Sequence, residues 1–246
     1  VIKDKAIGQE SGGITMKHSP IPNPQSLPYL LTDFHVHTIA SPDSLTSPEE
    51  LLAACRRRGV ERVVVADHNT IAGALRAREL DAERVIVGEE IRTTEGELLA
   101  IFLEKEIPLG LTPMATIELL EKQNAFISVS HPFDKARSGS WKLETLLDIL
   151  PCIDAIEIFN ARNLWPGSNW QAQKFAHQHN LPGTCGSDAH AAFEVGRGSL
   201  FLPPFHDSES LRAALRQAIH PRLIQSAPWV HFTSRYAVWR KSRPQA

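Results

Sequence analysis

Seven apolar runs of strand length, separated by helical or loop segments, constrain this chain more than any other feature. They fall at residues 29–34, 62–66, 84–87, 98–103, 125–129, 153–159 and 183–185. Most are near-continuous, as strands covered on both faces should be. The helices between them are also legible. Ser47-Pro48-Glu49-Glu50 supplies an N-cap, a proline at the first helical position and a Glu that completes a capping box, and Leu51, Leu52 and Cys55 recur at helical spacing until Gly59. Thr112-Pro113 opens a helix through about residue 123. Ser140 caps one through about residue 150, Ser168 one through about residue 179, and Ser208 opens the last, with Leu211, Ala214, Leu215 and Ala218 along one stripe. This alternation predicts an α/β fold with a parallel barrel, broken by an antiparallel hairpin around Thr94-Glu95-Gly96-Glu97.

A length of 246 residues suits one such barrel. Residues 1–28 carry Gly12-Gly13 and several prolines without a hydrophobic period, and read as a flexible leader. Residues 29–246 read as a single domain. Its end, about 204–246, holds Trp229, Phe232, Tyr236 and Trp239 and is expected to dock on the body. A formal net charge of -2 gives no global pull toward nucleic acid. No apolar run approaches the roughly 20 residues of a membrane span, so no membrane partner is expected. Cys55, Cys152 and Cys185 are odd in number and lack C-x-x-C spacing, which fits a reducing, cytoplasmic setting. Cys185 reads as a small buried apolar residue.

The chemistry starts at Asp33-Phe34-His35-Val36-His37, at the end of the first strand. Side chains alternate along a strand, so Asp33, His35 and His37 are expected on one face and Phe34 and Val36 on the other. Two imidazoles two positions apart then grip one ion. Asp67-His68, Glu90, Ser130-His131-Pro132 and Gly186-Ser187-Asp188-Ala189-His190 each lie at or near another strand end. In parallel barrels functional side chains gather there. Imidazoles and carboxylates without paired cysteines favour a catalytic Zn, Mn or Fe site over a structural zinc knuckle. A second H-x-H, His177-Gln178-His179, falls in a helical pattern where the two rings point apart. His18, His206, His220 and His231 also lack such companions, so all six are left outside the site.

Taken in order, F-H-V-H-T-I-A-S, A-D-H-N-T, G-E-E-I, S-H-P, I-E-I-F-N and G-S-D-A-H resemble the PHP (polymerase and histidinol phosphatase) family, from about Leu31 to Pro203. The resemblance implies a distorted (β/α)7 TIM-like barrel holding two or three divalent ions (Zn, Mn or Fe) that hydrolyses phosphoesters. The partner it implies is a small phosphorylated substrate, with nucleic acid only as a short substrate. Carried over by motif, His35, His37 and Asp188 hold a first ion and Glu90 bridges it to a second, bound by His131. The third position is built from His68, His190 and Asp43, where many members carry His. No further His or Cys stands in the strand expected to complete the second position; Glu157 and Asn160 are nearest, as weak ligands or as supports.

Asp67 reads as an orienter of a neighbouring imidazole. Glu89, next to Glu90, faces the other way. Two cations sharing a carboxylate acidify the water between them for in-line attack on phosphorus, and His68 or Asp43 protonates the leaving alkoxide if the third ion is absent. Arg92, Lys135, Arg137, Arg162 and Arg197 follow the strand-end motifs and are candidate phosphate binders. An amidohydrolase-like hydrolase is the rival activity, disfavoured because no interior strand ends in a suitable bridging Lys. An inactive metal-binding PHP module is the other rival.

Overall fold

β1 (Leu30–Val36) opens a nine-stranded mixed sheet in the computed structural model, which describes residues 29–137 and 141–243. The expected leader and the Ser140 cap lie outside those residues. The chain continues through α1 (Pro48–Arg58), β2 (Arg62–Val65), α2 (Ala72–Leu80), β3 (Val85–Thr93), β4 (Gly96–Ile101), α3 (Pro113–Glu121), β5 (Phe126–Val129) and α4 (Leu143–Ile149). Then follow β6 (Ala155–Asn160), α5 (Pro166–Gln178), β7 (Gly183–Gly186), β8 (Gly198–Leu202), α6 (Ser208–Leu215), β9 (Ile219–Leu223) and α7 (Val230–Lys241). The strand order is β7-β6-β5-β4-β3-β2-β1-β8-β9. β1, β2 and β3 run parallel, as do β5, β6 and β7, while β4 is antiparallel to both neighbours. The expected hairpin closes at the Thr93–Gly96 pair.

The sheet curls until the segment after β7 returns to β1. Val36 bridges Ala189, Asp188 N donates to His35 O at 2.7 Å, and His37 N donates to Ala189 O at 2.9 Å. The result is a nearly closed α/β barrel of the distorted TIM-like kind. Two strands exceed the seven that the pattern predicts. β8 opens on Gly198 and Ser199 and so carries a weak apolar signal, and β9 contains Pro221, which is tolerated because this strand is the sheet edge.

One face of the sheet buries Val63, Val65, Val85 and Val87 under Leu51, Leu52 and Cys55 of α1, Ile117 of α3 and Leu146 of α4. On the opposite face Phe34, Val64, Ile86, Leu99, Phe126 and Leu200 pack with Leu211, Ala214 and Leu215 of α6. α6 plugs the N-terminal end of the strands: Ser208 Oγ donates to Asn124 O just before β5, and Arg212 Nε to Asp154 Oδ1 just before β6. The opposite, C-terminal rim is left for the site. The α1 capping box forms as the sequence dictates, with Ser47 and Glu50 bonded reciprocally and Gly59 left-handed at φ 69°. α5 begins at Pro166, before Ser168, and Asp207 rather than Ser208 caps α6. Nor is α6 the last helix.

β1 departs from simple alternation. Its register against β2 shifts between Asp33 and Val36, so Phe34 and Val36 enter the two different apolar layers instead of sharing a face. Among the described residues Asp33 joins none of the metal-capable groups, and its Oδ1 faces the His35 backbone N at 3.3 Å rather than an imidazole. It accepts hydrogen bonds from Ser187 N and Oγ and from Gly196 N. Burial lifts its carboxyl to about 6, in spite of those bonds.

The C-terminal aromatics are not what docks α7. Trp229, Phe232, Tyr236 and Trp239 are 53, 68, 51 and 48% exposed, while Val230 and Ala237 are buried. Polar ties fix the helix instead. Arg162 Nη2 donates to Val230 O at 3.1 Å and Ser234 Oγ at 2.9 Å, His231 Nε2 donates to Arg162 O at 3.1 Å, and Lys241 Nζ donates to Ile39 O at 2.6 Å.

β7 and β8 approach closely enough that a Cβ on Gly198 would lie 2.1 Å from Gly186 O. Backbone cannot yield as a flexible side chain does. Gly198→Ala is therefore expected to destabilise the fold by about 3 kcal/mol, seen as a lower midpoint in urea unfolding; an unchanged midpoint would show that this approach does not constrain the barrel.

Candidate metal centre

Every residue of the cluster stands at the strand ends because β1, β2, β3, β5 and β7 all finish at one rim. His35 comes from β1 and His37 directly follows it, Glu90 comes from β3, and His68, His131, Asp188 and His190 come from the segments after β2, β5 and β7. The two β1 imidazoles meet with Nε2 atoms 3.1 Å apart. Glu90 is the hub. Its Oε1 lies 2.8 Å from His131 Nε2, and its Oε2 lies 3.0 Å from His68 Nδ1, 3.3 Å from His35 Nε2 and 3.5 Å from His37 Nε2. Asp188 Oδ1 sits 3.2 Å from His37 Nε2 and 3.9 Å from His35 Nε2. Asp43 Oδ2 is 2.9 Å from His190 Nε2 and 3.5 Å from His68 Nε2. Both β1 imidazoles and both central carboxylates are buried.

The outward nitrogens of the rings are held by the layer behind. His35 Nδ1 donates to Glu157 Oε1 at 3.2 Å, and Glu157 Oε2 accepts from His131 N at 2.8 Å and Asn160 Nδ2 at 3.0 Å. His37 Nδ1 meets Ser41 Oγ at 3.1 Å, and Ser41 in turn donates to Asp67 at 2.8 Å. Asp67 also accepts from Thr38 N and Oγ1, both at 2.6 Å, so it orients His37 through Ser41. His190 Nδ1 donates to the Asp188 carbonyl oxygen at 2.8 Å. A nitrogen that donates outward leaves the other nitrogen's lone pair facing the cluster.

Charges in the cluster oppose its burial. Burial alone would lower His35, yet Glu90, Asp188 and Glu157 hold it well above the ordinary imidazole range. His68 is likewise raised by Glu90 and Asp43 against burial. His37 goes the other way, pushed down to about 3 by burial and by His190 and His68. Burial would raise the Glu90 and Asp188 carboxyls. His35 and His68 around Glu90, and Arg137 and His35 around Asp188, hold both well below the usual range.

Glu90 Oε2, Asp188 Oδ1 and Asp43 Oδ1 are buried and accept no hydrogen bond among the described residues. Such oxygens are costly to bury unless a cation meets them. Three groups have donor atoms within 4.8 Å of one another: His35, His37 and Glu90; Glu90, Glu97 and His131; and His37, His68 and His190. Nitrogen and oxygen donors in this mixture fit divalent cations.

A family model described as PHP-associated matches residues 166–218. An uncharacterized protein of Methanocaldococcus jannaschii is 35% identical to this chain, over 52% of the chain and 81% of that protein. The chain belongs with that protein, and carries a PHP-associated segment. PHP-like solved structures share its fold. A two-domain protein from Bacteroides vulgatus, containing a predicted PHP-like metal-dependent phosphoesterase, superposes with a TM-score of 0.64 at 21% identity, over 86% of this chain and 70% of that one. A lesion-specific endonuclease from Pyrococcus furiosus does so with a TM-score of 0.58 at 14% identity, over 81% and 60%.

One member of this cluster escapes the motif reading. Glu97 Oε2 lies 3.6 Å from His131 Nε2, beside Glu90. Burial, and then Glu90, raise its carboxyl. The signal was available: Leu99 faces Glu90 across the β3–β4 ladder, and Glu97, two residues from Leu99, shares its face. Glu89 points elsewhere, accepting Ile107 N at 3.1 Å.

The candidate phosphate binders divide. Arg137 donates to Asp188 Oδ2 and approaches His131 Nε2 at 3.2 Å, so it enters the cluster. Arg92 lines a cleft with Asp43, His68, Glu97 and Arg137. Lys135 is exposed on the loop after β5. Arg197 instead donates to Gln225 O at 3.3 Å, and Arg162 Nη2 is committed to α7. Among the excluded histidines, His177 and His179 are exposed on or just past α5 and His206 is exposed. His231 differs, lining a cleft with Asp43, Arg137, Arg162 and His190. No helix among the described residues is long and apolar enough to cross a membrane.

Proposed function

We propose that this protein is a PHP-type metal-dependent phosphoesterase that hydrolyses a small phosphomonoester or a nucleotide-like phosphoester, with nucleic acid a substrate only in short form. A cytoplasmic setting belongs to the same reading. The observation that carries it is the convergence of Glu90 Oε2 and Asp188 Oδ1, buried and free of hydrogen bonds, on the facing Nε2 atoms of His35 and His37.

In this reading His35, His37, Glu90 and Asp188 hold one divalent ion, Zn, Mn or Fe. Glu90, His131 and Glu97 hold a second, and Asp43, His68 and His190 a third. Divalent ions that share a carboxylate acidify water and neutralise phosphoryl oxygens in an in-line displacement. The chain's own groups prepare for that chemistry. Glu157 and Asp67, the latter through Ser41, keep the His35 and His37 rings aimed. Glu90 carries the charge that two positions share. Arg137, seated on Asp188, offers its guanidinium to a phosphoryl oxygen. Where the third position is empty, His68 or Asp43 would deliver the proton to the departing alkoxide oxygen.

Protein purified without chelator is expected to carry at least about two transition-metal equivalents per chain, read by elemental analysis. Metal-free protein that also takes up neither Mn nor Zn would sink the site. The activity is tested on a panel of histidinol phosphate, phosphotyrosine, nucleoside mono- and bisphosphates and short oligonucleotides, with Mn, Zn, Fe and Mg in turn. Turnover of none of them by metal-loaded protein would overturn the reading.

A further inference from the structure

Trp229 at the N-terminal cap of α7 and Phe232 and Tyr236 within it fall at spacings of three and four, one stripe of a helix, and all three are about half exposed or more. Scattered surface aromatics need no explanation, but these line one concavity. Leu45, Thr46, Ala191 and Ala192 form its other wall, and its volume is about 510 Å³. That lies within the range of small-molecule sites. The aromatic wall is held in place. Trp229 stacks on Phe193 with ring centroids 5.3 Å apart, and the ties from Arg162 and Lys241 fix α7 against the barrel.

His190 joins this chamber to the metal centre. It lines the aromatic cavity and also a second cleft, with Asp43, Asp134, Arg137, Arg162, His231 and Ser234. Thr46 and Ser44 hold its backbone from beneath, donating to His190 O at 3.2 and 3.0 Å. The second cleft carries two arginines among its aspartates, and each has a carboxylate partner: Arg137 meets Asp134 and Asp188, and Arg162 Nε lies 3.5 Å from Glu194 Oε1. Nη1 of Arg162, a side chain 2% exposed, has no hydrogen-bond acceptor among the described residues. One imidazole therefore separates an aromatic chamber from one where two guanidinium groups, Arg137 and Arg162, line the wall.

We infer that the α7 chamber seats a flat aromatic group carried by the substrate, while the phosphoryl end lies across His190 in the cleft lined by Arg137 and Arg162. The inference rests on the phosphoesterase reading for the phosphoryl end. The chamber offers one aromatic wall facing a largely aliphatic one, which suits a planar ring, and a nucleobase and an aryl group share that shape. An alkyl phosphoester of similar charge has no means of filling the chamber.

The test is calorimetric titration of the metal-loaded, full-length protein with three phosphonates whose P–C bond resists hydrolysis: benzylphosphonate, adenosine 5′-methylenephosphonate and propylphosphonate. At least one aromatic ligand is expected to bind roughly tenfold more tightly than propylphosphonate, and which one identifies aryl or nucleobase as the occupant. The double variant Phe232→Ala/Tyr236→Ala removes exposed side chains, so folding is not at stake, and it is expected to bring the preference within threefold. Equal binding of all three ligands, or a preference the variant leaves intact, overturns the inference. Failure of the phosphoesterase reading appears separately, as the absence of turnover across the phosphoester panel, because the titration requires no hydrolysis.

Discussion

Glu90→Gln is expected to lower kcat/KM for phosphoester hydrolysis by roughly 10³-fold or more, about 4 kcal/mol in the barrier. No other side chain of the cluster faces His35, His37, His68 and His131 at once, with contacts between 2.8 and 3.5 Å. Glutamine has nearly the same shape. It exchanges one acceptor oxygen for a donor and deletes the charge that offsets the His35 and His68 imidazoles and that two ion positions are proposed to share. Metal content is expected to fall together with turnover, while circular dichroism keeps its folded signature because β3 retains an isosteric side chain.

Glu89→Gln is the control, since Glu89 faces the Ile107 backbone rather than the imidazoles. Burial pushes its carboxyl up to about 7 from an ordinary 4.5, so the folded state binds the proton more tightly than the unfolded chain. Stability therefore falls as pH rises through that window, and Gln removes this loss. Turnover is expected to stay within threefold of the parent, with unfolding less sensitive to pH. Turnover lost in Glu89→Gln and kept in Glu90→Gln would show that the catalytic face of β3 has been assigned to the wrong residue.

The contrast between these neighbours shows what a sequence can disclose here. Alternation along β3 separates Glu89 from Glu90 because its ladder with β4 is regular at that point. The same rule fails on β1. A shift in pairing between Asp33 and Val36 is a tertiary event, set by how β2 and the segment after β7 close on the strand, and no local pattern encodes it. His35 and His37 nevertheless stay together because both lie at the C-terminal end of that irregularity, whereas Asp33 becomes a clasp for Ser187 and Gly196.

Strand ends were legible for a related reason. Parallel strands aim their C-termini at one rim, so motifs scattered from His35 to His190 converge without any knowledge of the loops between them. Cations carried no such constraint. Arg162 and Arg197 follow strand-end motifs as closely as Arg137 does, yet Arg162 braces α7 and Arg197 the Gln225 carbonyl. The aromatics of α7 mislead in the same way. Large apolar side chains normally signal docking, but Val230 and Ala237 with a few polar ties hold this helix, and the rings are left to line a cavity.

His35→Ala is expected to remove nearly all turnover, whereas Asp43→Ala costs on the order of 10 to 100-fold. The difference follows from burial and from how many partners each side chain loses. His35 is fully buried, with Nδ1 on Glu157 and Nε2 against Glu90, His37 and Asp188; its removal leaves a void and strips partners from three buried carboxylates. Unpaired buried charge is strongly destabilising, so metal binding at the shared position and part of the fold's stability are expected to go together. Asp43 is 23% exposed at the rim and meets only His190 and His68, neither of which belongs to the pair of β1 imidazoles. Water can replace much of what its carboxylate provides. Elemental analysis separates the cases: Asp43→Ala is expected to lose at most one metal equivalent, and His35→Ala the position that Glu90 shares. Equal loss of turnover and of metal in the two variants would mean that the position built from Asp43, His68 and His190 is as indispensable as the one on β1, and that the ions fill all three positions together or not at all.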